Sequence, residues 1–124
     1  MTDKTVAKNS ASPELKVSVP VDAHPLVKYV VRKGIMPTRS YPADDSVSLS
    51  FVIPEALQTE FKNLVEEHGL VREPGTSDSL EFWWFNSRQN PEVVSEMIDY
   101  IIIPILRQRE LQDVFRTTVG PRYN

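Results

Sequence analysis

The sequence predicts a small two-layer α+β domain, arranged as a ferredoxin-like β-α-β-β-α(-β) plait with an N-terminal arm. Three patterns predict it: a strand with alternating apolar residues at 47–53, two later segments with apolar residues at helical spacing, and an aromatic strand between them at 80–85. In such a plait, two helices cover one face of an antiparallel sheet. A chain of 124 residues has room for one core of this kind and not for two.

The first strand, helix and hairpin of this plait are marked by proline and glycine. Pro54 directly follows the first strand and suits the first turn of a helix, where the N–H that proline lacks has no helical partner. Gly69 marks the end of that helix. Two strands, at 70–73 and 79–85, are then expected on either side of a turn at 74–78.

The final helix begins with a cap and a first-turn proline, Asn90 and Pro91. Pro104 is expected to kink or break it, because the proline ring clashes with the carbonyl of Tyr100. Beyond this point, residues 113–119 fit either a further helical turn or a last strand.

The chain before the plait divides into a leader and a short helix. Residues 1–20 contain few large hydrophobic side chains and predict a flexible leader, which leaves 21–124 as the single domain. Inside the leader, Leu15, Val17 and Val19 alternate with polar residues, and this piece can add to the domain as an edge strand.

A helix is expected at 22–34, where Asp22 can cap the start and Gly34 can take the left-handed closing position. The β-branched run at 27–31 also fits a strand, although the helix is favoured by its end signals. Pro37 and Pro42 then bracket a loop that runs through residue 45.

The aromatic strand is apolar on both sides. Alternation places Leu80, Phe82 and Trp84 on one side, and Trp83 and Phe85, with Glu81, on the other. One side fills the core, and the other needs a second cover: the N-terminal segment, another copy of the chain, or a partner. Our interpretation places Trp83 and Phe85 outward and predicts that they bind a partner.

Charge is distributed unevenly along a chain whose net charge is −3. Residues 1–40 carry seven Lys/Arg against three Asp/Glu, a balance of +4, and residues 41–124 carry seven against fourteen, a balance of −7. The expected partner-binding surface therefore includes the cations of an acid-free stretch: Lys28, Arg32, Lys33 and Arg39. The acidic body disfavours nucleic acid as the partner.

The sequence lacks the residues that several kinds of functional site require. The absence of cysteine excludes a disulfide framework, a thiolate zinc site and a cysteine nucleophile. The two histidines, His24 and His68, have no acidic neighbours at metal-ligand spacing, and no phosphate-binding loop or serine nucleophile motif is present. We therefore predict no catalytic residue, no metal and no cofactor.

The expected function is that of a non-catalytic binding or assembly protein, an accessory, adaptor or inhibitor that associates with another protein or with itself. A short chain with few motifs suits a viral or mobile-element accessory protein. The N-terminus lacks the apolar run of a signal peptide, and the longest apolar run is too short to span a bilayer. We therefore expect a cytoplasmic location and no membrane partner.

An alternative function is nucleic-acid binding, either on exposed aromatic side chains or through the first strand. The segment Ser48-Leu49-Ser50-Phe51-Val52-Ile53-Pro54, continuing to Gly69, resembles the strand and first helix of ribbon–helix–helix DNA-binding proteins. In that family the outward residues of the strand enter the major groove. The resemblance implies that Ser48, Ser50 and Val52 would do so here.

Overall fold

A computed structural model describes residues 15–119 of the chain, with side chains as far as residue 112. It confirms a mixed α+β architecture, in which helices pack against a three-stranded antiparallel sheet of order β1-β2-β3. The elements are α1 (Pro25–Lys33), β1 (Thr38–Ser40), β2 (Ser48–Val52), α2 (Gln58–Glu67), β3 (Phe82–Asn86), α3 (Pro91–Met97) and α4 (Ile103–Val119). A 3₁₀ turn at Glu55–Leu57 leads into α2, and a π-helical turn at Ile98–Ile102 joins α3 to α4.

The ferredoxin-like plait is not confirmed, because the predicted strand at 70–73 is not a strand. The segment makes a single ladder-like bond, from the N–H of Glu73 to the carbonyl of Trp84 (2.8 Å). The helix that follows β2 returns the chain to β3, which pairs antiparallel with β2 directly. The first and third strands of the predicted plait would also be antiparallel neighbours, so the missing strand at 70–73 is the departure from it.

Helix α1 forms despite its β-branched run, as its end signals predict. Gly34 closes it in the left-handed conformation at φ 71°. Its cap is His24 and not Asp22: the Nδ1 atom of His24 accepts a bond from the N–H of Leu26 (3.0 Å). The valines at 27, 30 and 31 are buried in the core, so tertiary packing overrides their strand propensity.

Strand β1 occupies the stretch that was expected to be a loop. It pairs with β2 through Thr38 and Ser50, Arg39 and Leu49, and Ser40 and Ser48. Flanking prolines at positions 37 and 42 keep it to three residues, because proline cannot donate to a ladder. The short strand therefore forms a protected edge of the sheet.

The core lies between α1, α2, α3 and one face of the sheet. Four aromatic rings meet at its centre, where the ring centroids of Phe61 and Trp83 are 5.1 Å apart and those of Phe51 and Phe85 are 5.7 Å apart. Trp83 is 3% exposed and Phe85 is 1% exposed. The expectation that these two side chains point outward is wrong, because they share the inner face with Leu49 and Phe51, their partners on β2.

Part of the predicted leader belongs to the packed structure. Leu15, Val17 and Val19 are half-buried against the core, and the N–H of Leu15 donates to the carbonyl of Val31 (3.0 Å). Residues 1–14 of the leader lie outside the described residues.

The long C-terminal helix passes Pro104 without breaking. In the preceding π turn, the N–H of Ile103 donates to the carbonyl of Ile98, five residues earlier. The π turn lies directly before the proline, where an α-helical turn would bring the ring against the carbonyl of Tyr100. Residues 113–119 continue the helix, and the alternative of a last strand there is wrong. Between residues 15 and 119, no helix combines the length and apolar content that crossing a bilayer requires.

Candidate functional site

The outer face of the sheet carries an uncovered apolar surface. Val52 and Phe82 are direct cross-strand partners there, and their exposed fractions are 59% and 45%. Trp84, two residues along β3 on the same side, is half-buried and pairs with Ser50. We call Val52, Phe82 and Trp84 the outer apolar patch. It is the side of the aromatic strand that the sequence analysis placed in the core.

The other end of the outer face is a closed polar network. The amide of Asn86 donates to the hydroxyls of Ser46 (2.9 Å) and Ser48 (3.0 Å). Those hydroxyls donate in turn to carboxylates, Ser46 to Asp44 (2.6 Å) and Ser48 to Glu73 (2.7 Å). The hydrogen bonds from Ser46 lower the pKa of Asp44 below its ordinary value. With its donors and acceptors paired, this end offers a ligand few free polar groups.

A groove of about 410 Å³ opens at the end of the sheet beside the outer apolar patch. Its lining consists of Val52, Ile53, Pro54, Glu55, Gln58 and Glu81. Backbone and side-chain bonds fix its walls, since the N–H of Ile53 donates to the carbonyl of Glu81 (2.7 Å) and the amide of Gln58 donates to the carbonyl of Ile53 (3.1 Å). The carboxylates of Glu55 and Glu81 are exposed. We call this feature the acidic groove.

The guanidinium of Arg72 covers the indole ring of Trp83, and its Cζ atom lies 3.7 Å from the centroid of the ring. The guanidinium donates to the carbonyls of Ser79 and Phe82, and the indole N–H donates to the carbonyl of Leu80 (2.8 Å). Burial lowers the pKa of Arg72 from its ordinary value, although the residue stays charged. Trp83 is therefore closed to a partner of the folded protein.

The predicted cations do not converge with one another at the sheet. Lys28 donates to the carbonyl of Val21 (2.8 Å), whereas Arg32 and Lys33 lie 5.8 and 6.0 Å from the ring centroid of Tyr29. Arg39 lies on β1, 5.3 Å from the ring centroid of Tyr41. The structure therefore divides the predicted partner-binding set into a buried aromatic pair, a basic side of α1 and a separate cation on β1.

The three strand residues of the nucleic-acid alternative do face outward, but they differ in accessibility. Ser48 is 2% exposed, and its hydroxyl already contacts Asn86 and Glu73. Ser50 is half-buried, and Val52 is exposed but apolar. A buried hydroxyl cannot reach a base edge, and the carboxylate of Glu73 on this face repels phosphate.

The two histidines, His24 at the start of α1 and His68 at the end of α2, lie with their ring centroids 5.2 Å apart in an edge-on arrangement. They line a pocket of about 250 Å³ together with residues of the α3 start, including Glu92. Burial and the neighbouring His68 lower the pKa of His24, while Glu96 and Glu92 oppose the shift. In the part of the chain that the structure describes, no three His, Asp or Glu side chains are grouped to hold a metal ion.

Alternation along β2 already indicates one member of the outer apolar patch, Val52, whereas Phe82 and Trp84 were expected in the core. Once Leu49, Phe51 and Ile53 are taken as the inner side of β2, the intervening Val52 must point outward as an apolar residue.

Searches against family models, curated proteins and solved structures gave no match to this chain.

Proposed function

We propose that the protein is a non-catalytic binding protein that docks on another protein through the outer apolar patch. The exposed cross-strand pair of Val52 and Phe82 is the observation that carries the proposal. Large apolar side chains that adjoin one another on a surface are typical of protein interfaces, and aromatic residues supply much of the binding energy there.

Docking on the face of the sheet fits better than pairing along its edges. Strand β1 is three residues long between prolines, and the other edge is occupied at Trp84 by the bond from Glu73. Both features oppose the addition of a further strand. The outer apolar patch has no such cover among the described residues.

Protein is a better partner than nucleic acid for this surface. Base stacking on Phe82 and Trp84 would bring phosphates towards carboxylates, because the adjoining groove is lined by Glu55 and Glu81. The cations of α1 belong to a different element, where Arg32 and Lys33 lie beside the ring of Tyr29.

The proposal is tested by selection from a random peptide display library on the folded protein. We expect the selected peptides to bind the wild type and to lose at least about tenfold in affinity on Phe82→Ser, since an aromatic residue at an interface centre is worth more than about 1.4 kcal/mol. Leu111→Ser on α4 is the matched control, because it also removes an exposed apolar side chain, one that is 70% exposed. Peptides whose affinity is unchanged by Phe82→Ser and Val52→Ser would contradict the proposal.

Titration with DNA tests nucleic acid as the alternative partner. A fluorescent DNA duplex titrated at low and moderate salt should give no binding that depends on the outer apolar patch. Binding that falls steeply with salt and is lost on substitution of Arg32 and Lys33 by alanine would favour the alternative function instead.

A further inference from the structure

We infer that the partner presents a lysine or arginine next to a large apolar side chain, so that its cation enters the acidic groove while the apolar side chain covers Val52 and Phe82. The inference rests on the proposed function and adds the chemistry of the partner. It also disfavours a second copy of this chain, docked patch to patch, as the occupant.

The first argument is position. Val52 belongs both to the outer apolar patch and to the lining of the acidic groove. A ligand side chain on Val52 and Phe82 therefore has the carboxylates of Glu55 and Glu81 at its border. A neighbouring side chain of the same ligand is therefore placed to contact these two carboxylates.

The second argument is charge. The side chains that line the groove include two carboxylates and no cation. The ion pairs found among the described residues, Lys62 with Glu66 and Arg88 with Asp44, lie elsewhere. An apolar contact at Val52 excludes water beside these carboxylates, which lowers the local dielectric and strengthens their attraction for a cation and their repulsion of an anion.

The third argument concerns symmetry. In a two-fold dimer the same patch occurs on both subunits. The outward residues of the three strands include no lysine or arginine, so patch-to-patch docking would bring no strand cation to the carboxylates of Glu55 and Glu81. A foreign basic segment is therefore the better complement.

The test compares two probes, acetyl-Trp-Arg-amide and acetyl-Trp-Glu-amide, by titration into the ¹⁵N-labelled protein. Amide shifts of Val52, Glu81 and Phe82 report on binding at the site. We expect the arginine probe to bind about two- to fivefold more tightly, as one exposed charge pair is worth up to about 1 kcal/mol. High salt should reduce this preference.

A charge-neutral variant identifies the groups responsible. The double variant Glu55→Gln/Glu81→Gln should abolish the preference for arginine and leave the weaker apolar binding in place. The double variant Glu66→Gln/Glu67→Gln, which removes two exposed carboxylates of α2, should retain it. Dispersed amide spectra establish that each variant is folded.

Equal affinity for the two probes, with shifts confined to the site, would overturn the inference and leave the proposed function standing. The same holds if the preference survives in Glu55→Gln/Glu81→Gln. If neither probe shifts the amides of Val52 and Phe82, both the inference and the proposed function fail. A concentration-dependent dimer that Phe82→Ser dissociates would replace the foreign partner by a second copy.

Discussion

Phe51 and Trp83 face each other across β2 and β3 with both side chains buried in the core. The next pair along the same two strands, Val52 and Phe82, lies on the opposite face and is exposed. Adjacent positions on β2 and β3 therefore have different roles: one cross-strand pair stabilises the core, and the next forms part of the surface. Substitutions at adjacent positions should separate the two roles.

Trp83→Ala should cost about 3–5 kcal/mol of unfolding free energy, because it leaves a cavity against Phe61 and Phe85. Phe82→Ala should cost about 1 kcal/mol or less, since nearly half of that side chain is already in water. Urea unfolding of both variants measures the difference. Equal losses for the two variants would contradict the assignment of the two faces.

Arg72→Met should destabilise the protein by about 1–3 kcal/mol, because it removes the charged cover of Trp83 and the bonds to the carbonyls of Ser79 and Phe82. In a Trp84→Phe background, the fluorescence of Trp83 should also shift to longer wavelength. Arg88→Met is the control, because Arg88 is exposed in an ion pair with Asp44 and should change neither property appreciably. Unchanged emission in Arg72→Met would show that the guanidinium does not shield the indole.

The stability of the protein should depend on the protonation of His24. Its Nδ1 atom must be unprotonated to accept the capping bond from Leu26, and its pKa is lowered in the folded state. The unfolded chain binds the proton more readily, so this contribution is full above the ordinary histidine pKa of about 6.5 and is lost as the pH falls below it.

His24→Asn should retain the cap, since asparagine is a good N-cap residue, and should remove the titration. Melting temperatures of both proteins, measured from slightly alkaline to mildly acidic pH, give the comparison. The wild type should lose more stability than the variant over the pH range just below about 6.5. Parallel curves would show that His24 does not contribute to the pH dependence.

Asn90→Ala should cost about 1–3 kcal/mol, because the side chain of Asn90 holds both backbone groups of Val71. It accepts from the N–H at 3.0 Å and donates to the carbonyl at 2.7 Å. Asn90→Asp keeps the acceptor and should recover part of the loss. Gln89→Ala, at an exposed neighbour, serves as the control in denaturant unfolding. A loss of equal size in Gln89→Ala would contradict the role assigned to Asn90.

The sequence could not predict which side of the aromatic strand faces the core, and the reason is physical. Its two sides are similarly apolar, so hydrophobic content does not choose between Trp83 and Trp84. The choice is made by the register of β3 against β2, and a shift of one residue would exchange the faces. A hairpin turn fixes register locally, but here β2 and β3 are joined through α2 and a long irregular segment.

Local signals were more reliable where one residue determines the backbone. Gly34 and Gly69, both at positive φ, end helices as expected, and Pro91 begins one. The strand predicted at 70–73 is absent, and side chains hold this segment instead: the N–H of Val71 donates to Asn90, and the hydroxyl of Ser48 donates to Glu73. Such long-range bonds leave no periodic trace in the sequence.

The π turn at Ile98–Ile102 determines how α4 meets the N-terminal segment. It holds one residue more than an α-helical turn, so every later side chain is rotated by about 100° relative to uninterrupted α-helical winding. Gln108 lies beyond this rotation and donates to the carbonyl of Lys16 (3.0 Å). Deleting one residue from the turn would rewind the helix and turn Gln108 away from the N-terminal segment at 15–19, loosening one end of the chain through a change made near the other.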